Sequence, residues 1–267
     1  MSKKNNTDLL KKGSKGVWNT ILAFLAPLTV LLLWYVATNS GWVRPSILPT
    51  PQKIFETIKT LWASGKMVTD LSISLQRVFR GFAMGAISGI VVGSMMGFSK
   101  TVNRVLGSLV SILRPVPMLA WIPILILWLG IQEDSKTAVI FIGSFWPVLL
   151  NTIQGIQSTD KKLLEVAEIL EKNKFSMIWN VYLPSALPSI FTGIRLGMGA
   201  AWTCVVGAEM IAASSGIGYM IHYARELAQP AKVFAGVIHI GLIGLLIDKV
   251  LLYLQRVLLR WSYTESK

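Results

Sequence analysis

The sequence predicts an all-helical protein that crosses a membrane about six times. Only 15% of its 267 residues are charged and 53% are apolar, whereas a soluble domain is nearer a quarter charged. The apolar residues are gathered into uncharged runs. Gly16 to Val43, Gly81 to Ser99 and Thr137 to Thr159 contain no charge in 28, 19 and 23 residues. About 20 apolar residues in a helix cross the hydrocarbon core. A soluble enzyme, a disordered tail and a secreted disulfide scaffold are therefore excluded. The net charge of +13 does not point to nucleic acid, because no basic patch is interleaved with aromatics. It reads as Lys and Arg anchoring loops against anionic lipid. The single Cys204 lies in an apolar run and provides neither a disulfide nor a zinc site. His222 and His239 are too far apart to form a helix-borne metal pair.

The spans follow in order. The first is Val17 to Thr38, bent at Pro27. A long segment, Asn39 to Arg77, then opens with Pro45, Pro49 and Pro51. It continues as a short amphipathic helix, Pro51 to Ala63, with Ile54, Phe55, Ile58, Leu61 and Trp62 on one side. The second span, Val78 to Phe98, carries Gly81, Gly85, Gly89, Gly93 and Gly97. Glycine at every fourth position makes a stripe that another helix can approach closely. The third span is broken: Val105 to Leu113, then Arg114, Pro115, Val116 and Pro117, then Met118 to Gly130 with Pro123 inside. Proline removes helix donors, and within a membrane such a break is tolerated only against protein or a wet cavity. The fourth, fifth and sixth spans are Lys136 to Gln154, Pro188 to Ala212 and Phe234 to Leu258.

With the N-terminus inside, the inner segments carry 14 Lys and Arg and the outer ones 8, which favours both termini inside. The organisation read is a basic cytoplasmic tail (1–16), a transmembrane domain (17–260) with a large inner loop (about 155–185), and a short cytoplasmic tail (261–267). Enzyme motifs are absent: Gly13 to Lys15 lacks the approach of a phosphate loop. The inner loop has no room for an ATPase.

That loop carries the most information. Thr159 or Asp160 caps a first helix. Leu163, Leu164, Ala167 and Leu170 share one face, and Glu165, Glu168 and Glu171 lie on the rest. Asn173 ends this helix or caps a second. Phe175, Met177, Ile178, Trp179 and Val181 make the second helix strongly apolar for an aqueous loop, and Pro184 stops it. Two short amphipathic helices with exposed aromatics suit docking to a soluble partner. Lying on lipid headgroups is the alternative.

This segment resembles the EAA loop of binding-protein-dependent ABC importer permeases. Glu165, Ala167, Leu183 and Pro184 match its pattern in register. Val166, Glu171 and Val181 depart from it. Glu171 replaces a glycine that turns the chain at φ > 0, so the turn is expected to shift toward Asn173. The resemblance extends from about Trp34 to Trp261 and is similar to the nitrate/sulfonate/taurine subgroup. It is carried by Ile47 to Gln52, Leu113 to Pro123, Leu127 to Gly130, Phe145 to Pro147, Gly207 to Met210 and Ser215 to Tyr219.

The resemblance implies the MetI-like type I permease fold and a bacterial-type inner membrane. It implies a homodimer, two cytoplasmic ABC ATPases and an extracytoplasmic solute-binding protein. No cofactor is bound by this chain; ATP and Mg belong to the ATPases. The coupling residues expected are Glu165, Ala167, Leu183 and Pro184, which match the pattern, with Glu168, Glu171, Asn173, Phe175, Ile178 and Trp179, which the faces and caps of the two loop helices add.

Candidates for the pathway or gate are Arg114, Pro115, Pro117, Trp121, Glu209 and Met210. Arg114 at a broken backbone suits an anionic solute; an internal ion pair is the alternative. Glu209 sits among apolar residues and is expected to face a cavity, a partner or the dimer seam; a structural hydrogen bond is the alternative to a role in the pathway or gate. Arg195 is positioned to snorkel toward the cytoplasm, and Asp248 and Lys249 seek partners on other helices. The expected solute is small and anionic, of the sulfonate, taurine or nitrate kind. A pyrimidine precursor or bicarbonate remains open. A stand-alone secondary transporter would want ion-coupling carboxylates and inverted repeats, which the sequence lacks.

Overall fold

The computed structural model describes residues 25–261. Its helices are α1 (Leu25–Asn39), α2 (Pro51–Ala63), α3 (Lys66–Phe98), α4 (Lys100–Leu113), α5 (Met118–Leu129), α6 (Glu133–Gln157), α7 (Lys161–Ile169), α8 (Lys174–Met177), α9 (Leu183–Ala212), α10 (Ile217–Glu226) and α11 (Pro230–Leu258). No strand occurs among the described residues. Helices α3, α6, α11 and the run ending in α9 are each long and apolar enough to cross a membrane, and α4 with α5 makes a further broken span bent by 97°. The first expected span lies partly outside the described residues; α1 is its described part.

The chain divides into two compact units. The smaller comprises the chain up to Thr60 together with Ala224–Ala235. Within it, the Trp34 indole donates to the Pro49 carbonyl at 3.1 Å and its ring lies 5.6 Å from that of Phe234. Helix α2 begins with Pro51 at its first position, after Thr50, whose hydroxyl accepts from the Lys53 amide at 3.3 Å. Its expected apolar side divides: Ile54 and Leu61 are buried, while Phe55 and Trp62 stay exposed.

The larger unit is built on α6, which packs against both α3 and α9. The glycine stripe of α3 makes the first contact. A Cβ on Gly93 would stand 2.8 Å from the Thr152 Cβ and 2.9 Å from the Leu149 carbonyl, and one on Gly97 2.9 Å from the Ile156 Cβ. Gly193 and Gly197 of α9 meet α6 in the same way, at Pro147–Asn151 and Ser144–Val148. Only hydrogen atoms on these faces let the backbones approach. Val78, Ile122, Val139, Ile140, Ala201 and Val205 fill the core beside the contacts.

Helix α3 begins 12 residues earlier than the expected second span. At 33 residues and 1.5 Å per residue it is about 50 Å long, well beyond a hydrocarbon core of about 30 Å. Its first three turns carry Asp70 and Arg77, both buried. These charges do not end the helix because each has partners. Arg195 does not snorkel. Its guanidinium forks onto Asp248 of α11 at 2.6 and 2.9 Å, an opposite charge within reach.

Candidate functional site

The loop that carries α7 and α8 is built from its caps inward. The Asp160 carboxylate accepts from the Lys162 amide at 2.9 Å and starts α7. The helix ends in a paired turn: Lys172 N–H donates to the Ala167 carbonyl at 3.1 Å and Glu171 N–H to Glu168 at 2.9 Å. This is a Schellman closure, which wants a left-handed residue. Glu171 supplies it, at φ 50. The turn therefore stays at Glu171 and does not shift to Asn173. Asn173 instead caps α8, its side chain accepting from the Ser176 amide at 2.7 Å. Two backbone hydrogen bonds outweigh the steric cost of one L-residue at positive φ, about 1–2 kcal/mol.

Pro184 does not stop the second helix. The chain runs helically from Lys174 to Ala212, passing through one π-turn, Ile178–Tyr182. Leu183 N–H donates to Ile178, five residues back. The wider turn makes room where Pro184 lacks a donor and would crowd the Asn180 carbonyl. Ala167 is buried and Ile178, Leu183 and Pro184 are half-buried. Glu165, Glu168, Glu171, Asn173, Phe175 and Trp179 are exposed. The shared apolar face is not buried as a whole: Leu163 and Leu170 are exposed too. Ile169 is 80%, Phe175 72% and Trp179 55% exposed. Leu163, Ala167 and Leu170 face Asn180, Pro184 and Trp261 across a cleft of about 570 Å³.

At the opposite end of α3, α6 and α9 lies a buried polar network. Glu209, fully buried, accepts from Arg77 Nη1 at 2.9 Å, from the Ser74 hydroxyl at 2.8 Å and from the Gly218 amide at 2.9 Å. Ser74 Oγ accepts from the Ile217 amide at 3.0 Å, and Asp70 from the Gly216 amide at 3.2 Å. Three amides at the start of α10 thus meet side chains from α3 and α9, two of them anionic, as a helix N-terminus favours. Arg77 also forks onto Glu133 at 2.6 and 2.7 Å and donates to the Ser215 carbonyl at 2.7 Å. Lys136 donates to the Ile131 and Gln132 carbonyls and to Glu133, which fixes the α5–α6 turn. Gly216, at φ +106, has no room for a Cβ, which would strike the Glu209 carboxylate. Arg77 therefore ties the α5–α6 turn to the α9–α10 turn.

The remaining candidates do not join this network. Arg114 and Pro115 are exposed at the bend; the Arg114 amide donates to the Val110 carbonyl at 3.0 Å, while its guanidinium makes no hydrogen bond or ion pair with any described residue. Pro117 precedes α5 and is exposed. Trp121 packs against the core with its Nε1 buried and without an acceptor among the described residues. Met210 is half-buried. Sequence reasoning missed Asp70, Ser74, Arg77, Glu133 and Lys136. The first three continue the glycine stripe N-terminally at helical spacing, a signal hidden by reading residues 39–77 as a segment outside the spans.

A glycine-packed helical core with four helices long and apolar enough to cross a membrane, and a further bent pair, is the architecture of an integral membrane protein. Residues 85–261 match the family described as binding-protein-dependent transport system inner membrane component, and the chain belongs to that family. It is 41% identical over 261 residues, 98% of this chain and 95% of the other, to a Bacillus subtilis strain 168 protein named as an aliphatic sulfonates transport permease, SsuC. It is 35% identical to the taurine transport system permease protein TauC of Escherichia coli K12, covering 89% and 88% of the two chains. It is 33% identical to the bicarbonate transport system permease protein CmpB of Synechococcus elongatus, covering 94% of each. Its fold is similar to that of a chain of the MetNI methionine ABC transporter in an inward-facing conformation. The TM-score is 0.64 at 14% identity, over 74% of this chain and 97% of that one.

Proposed function

We propose that two copies of this chain form the translocation pathway of an ABC importer for a small anionic solute, of the sulfonate or taurine kind. An extracytoplasmic binding protein delivers the solute, and two separate cytoplasmic ATPases drive the cycle, holding the ATP and Mg themselves. Both termini lie in the cytoplasm. The observation that carries this reading is the apolar knob of α7 and α8. Phe175 and Trp179 are too exposed to be idle in water, and the loop is too short to hold an ATPase. Seated in a groove on each ATPase, with Glu165 and Glu168 on its polar face, the knob transmits nucleotide-driven closure to α9 through the continuous helix from Lys174. That closure opens the pathway outward.

Arg114 supports an anionic solute. It is a cation whose side chain has no partner among the described residues, at the 97° bend between α4 and α5, a place where a charge persists only beside a cavity or a second protein surface. The names of the sulfonate and taurine relatives favour the same solute class. Bicarbonate, also an anion, is the second reading, favoured by the bicarbonate relative. The test is uptake of radiolabelled taurine and bicarbonate into liposomes carrying the permease, its ATPase and its binding protein. Arg114→Ala is expected to lower anion uptake more than basal ATP hydrolysis. Equal loss of both refutes a role for Arg114 toward the solute.

A further inference from the structure

The smaller unit contains a groove that neither the coupling loop nor the buried network uses. It encloses about 640 Å³ between the α1–α2 connection, at Pro45, Pro49 and Thr50, and the α10–α11 connection, at Ala228 to Lys232. Its walls are stiff. Pro45, Pro49 and Pro230 fix the backbone on both sides, and Trp34 holds one wall through the Pro49 carbonyl while its ring packs on Phe234. Ala228 stands at φ 52, where it closes α10 with Gln229 N–H donating to Ala224 at 2.8 Å. An L-residue held in that conformation is backbone strain of the kind that gathers at binding surfaces.

The groove is chemically one-sided. Lys53 and Lys232 line it together with Ser46, Thr50, Thr57 and Gln229, and no carboxylate does. The described part of the unit carries five cations, Arg44, Lys53, Lys59, Arg225 and Lys232, against Glu56 and Glu226. The ion pair of Lys53 with Glu56 is long, 3.8 Å, and exposed on both sides, so it is readily exchanged for another carboxylate. The volume is that of a site for a ligand much larger than a single phosphate or carboxylate.

We infer that this groove seats an acidic segment of the solute-binding protein. The inference rests on the importer reading above, in which both connections are extracytoplasmic. The lysines steer the approaching partner and fix its register, and the prolines, hydroxyls and amide offer a preformed surface for its backbone.

The test uses the intact permease–ATPase complex in liposomes of phosphatidylcholine, with and without anionic lipid. ATP hydrolysis is followed while the system's own binding protein, loaded with taurine, is titrated in. Lys53→Glu with Lys232→Glu should raise the half-saturating binding-protein concentration about 10-fold at low salt, with basal hydrolysis unchanged and a smaller shift at high salt. The double alanine variant should show a smaller shift, and the double arginine variant almost none. Lys59→Glu, whose ammonium lies over the Phe55 ring and outside the groove, should leave the titration near wild type. An unchanged titration in the double reversal, or an equal shift from Lys59→Glu, overturns the groove assignment. Effects that follow the anionic lipid content and not the binding-protein concentration assign the groove to lipid headgroups and overturn it too. A wild-type complex that no binding protein stimulates overturns the importer reading, and this assignment with it.

Discussion

Replacing Glu209 by alanine should destabilise the protein more than any single change at its surface. The carboxylate is fully buried and accepts from Arg77, Ser74 and the Gly218 amide. Its removal leaves a buried hydroxyl and a buried amide without an acceptor, at about 1–3 kcal/mol each. It also takes one carboxylate from Arg77, which keeps Glu133 and the Ser215 carbonyl. Breaking a buried ion pair costs about 3–5 kcal/mol when one partner is removed, and the remaining Glu133 contact places this site near the lower end. At about 2–4 °C per kcal/mol for a chain of this size, the expected fall in apparent melting temperature is about 10 °C. The assay is thermal unfolding of the purified chain in one detergent at one scan rate, because membrane proteins unfold irreversibly. The pair Arg77→Met and Glu209→Met should together cost about 1–3 kcal/mol less than the sum of the two singles, since the double leaves no lone buried charge between them. A fall of less than 2–3 °C for Glu209→Ala (below about 1 kcal/mol) would refute the view that this network holds the start of α10. So would strict additivity of the pair.

Gly93→Val should lower the melting temperature by about 5 °C, because its Cβ would meet Thr152 and the Leu149 carbonyl of α6 and overpacking costs about 1–3 kcal/mol. Gly199→Ala, with nothing within 4 Å of the added carbon, should be neutral or slightly stabilising by the same measurement. Glu171→Gly should stabilise the α7–α8 loop by about 0.5–1 kcal/mol, because glycine adopts the φ of 50 at this turn without strain. Amide hydrogen exchange of Ala167 to Lys172 should slow accordingly, and unchanged or faster exchange there would refute it.

The fold was legible wherever apolar runs and glycine spacing spoke alone. The stripe from Gly81 to Gly97 predicted a close helix contact, and the prolines after Leu113 predicted the bend. What stayed hidden depended on partners distant in sequence. Asp70 and Arg77 looked like charges of an outer segment because their helical role appears only with Glu209 and Glu133 beside them. Arg195 looked ready to snorkel because Asp248 lies 53 residues away in sequence. Pro184 looked like a stop because a single sequence does not announce a π-turn. Glu171 looked unable to hold a left-handed turn, yet the closing hydrogen bonds from Lys172 and Glu171 decide its conformation. In the α7–α8 loop the caps Asp160 and Asn173 and the aromatics Phe175 and Trp179 were readable, since they rest on local chemistry.

The central claim is that the α7–α8 knob docks on a separate ATPase. Phe175 and Trp179 expose roughly 200 Å² between them, worth about 5 kcal/mol when buried, before the entropy of association. The direct measurement is native mass spectrometry of the permease copurified with its ATPase, for wild type and Trp179→Asp. Wild type should give a complex with two copies of each subunit, Trp179→Asp should largely lose it although the variant chain keeps its helical content, and the permease alone should turn over no ATP. An unchanged complex with Trp179→Asp, or ATP hydrolysis by the isolated chain, would contradict this claim.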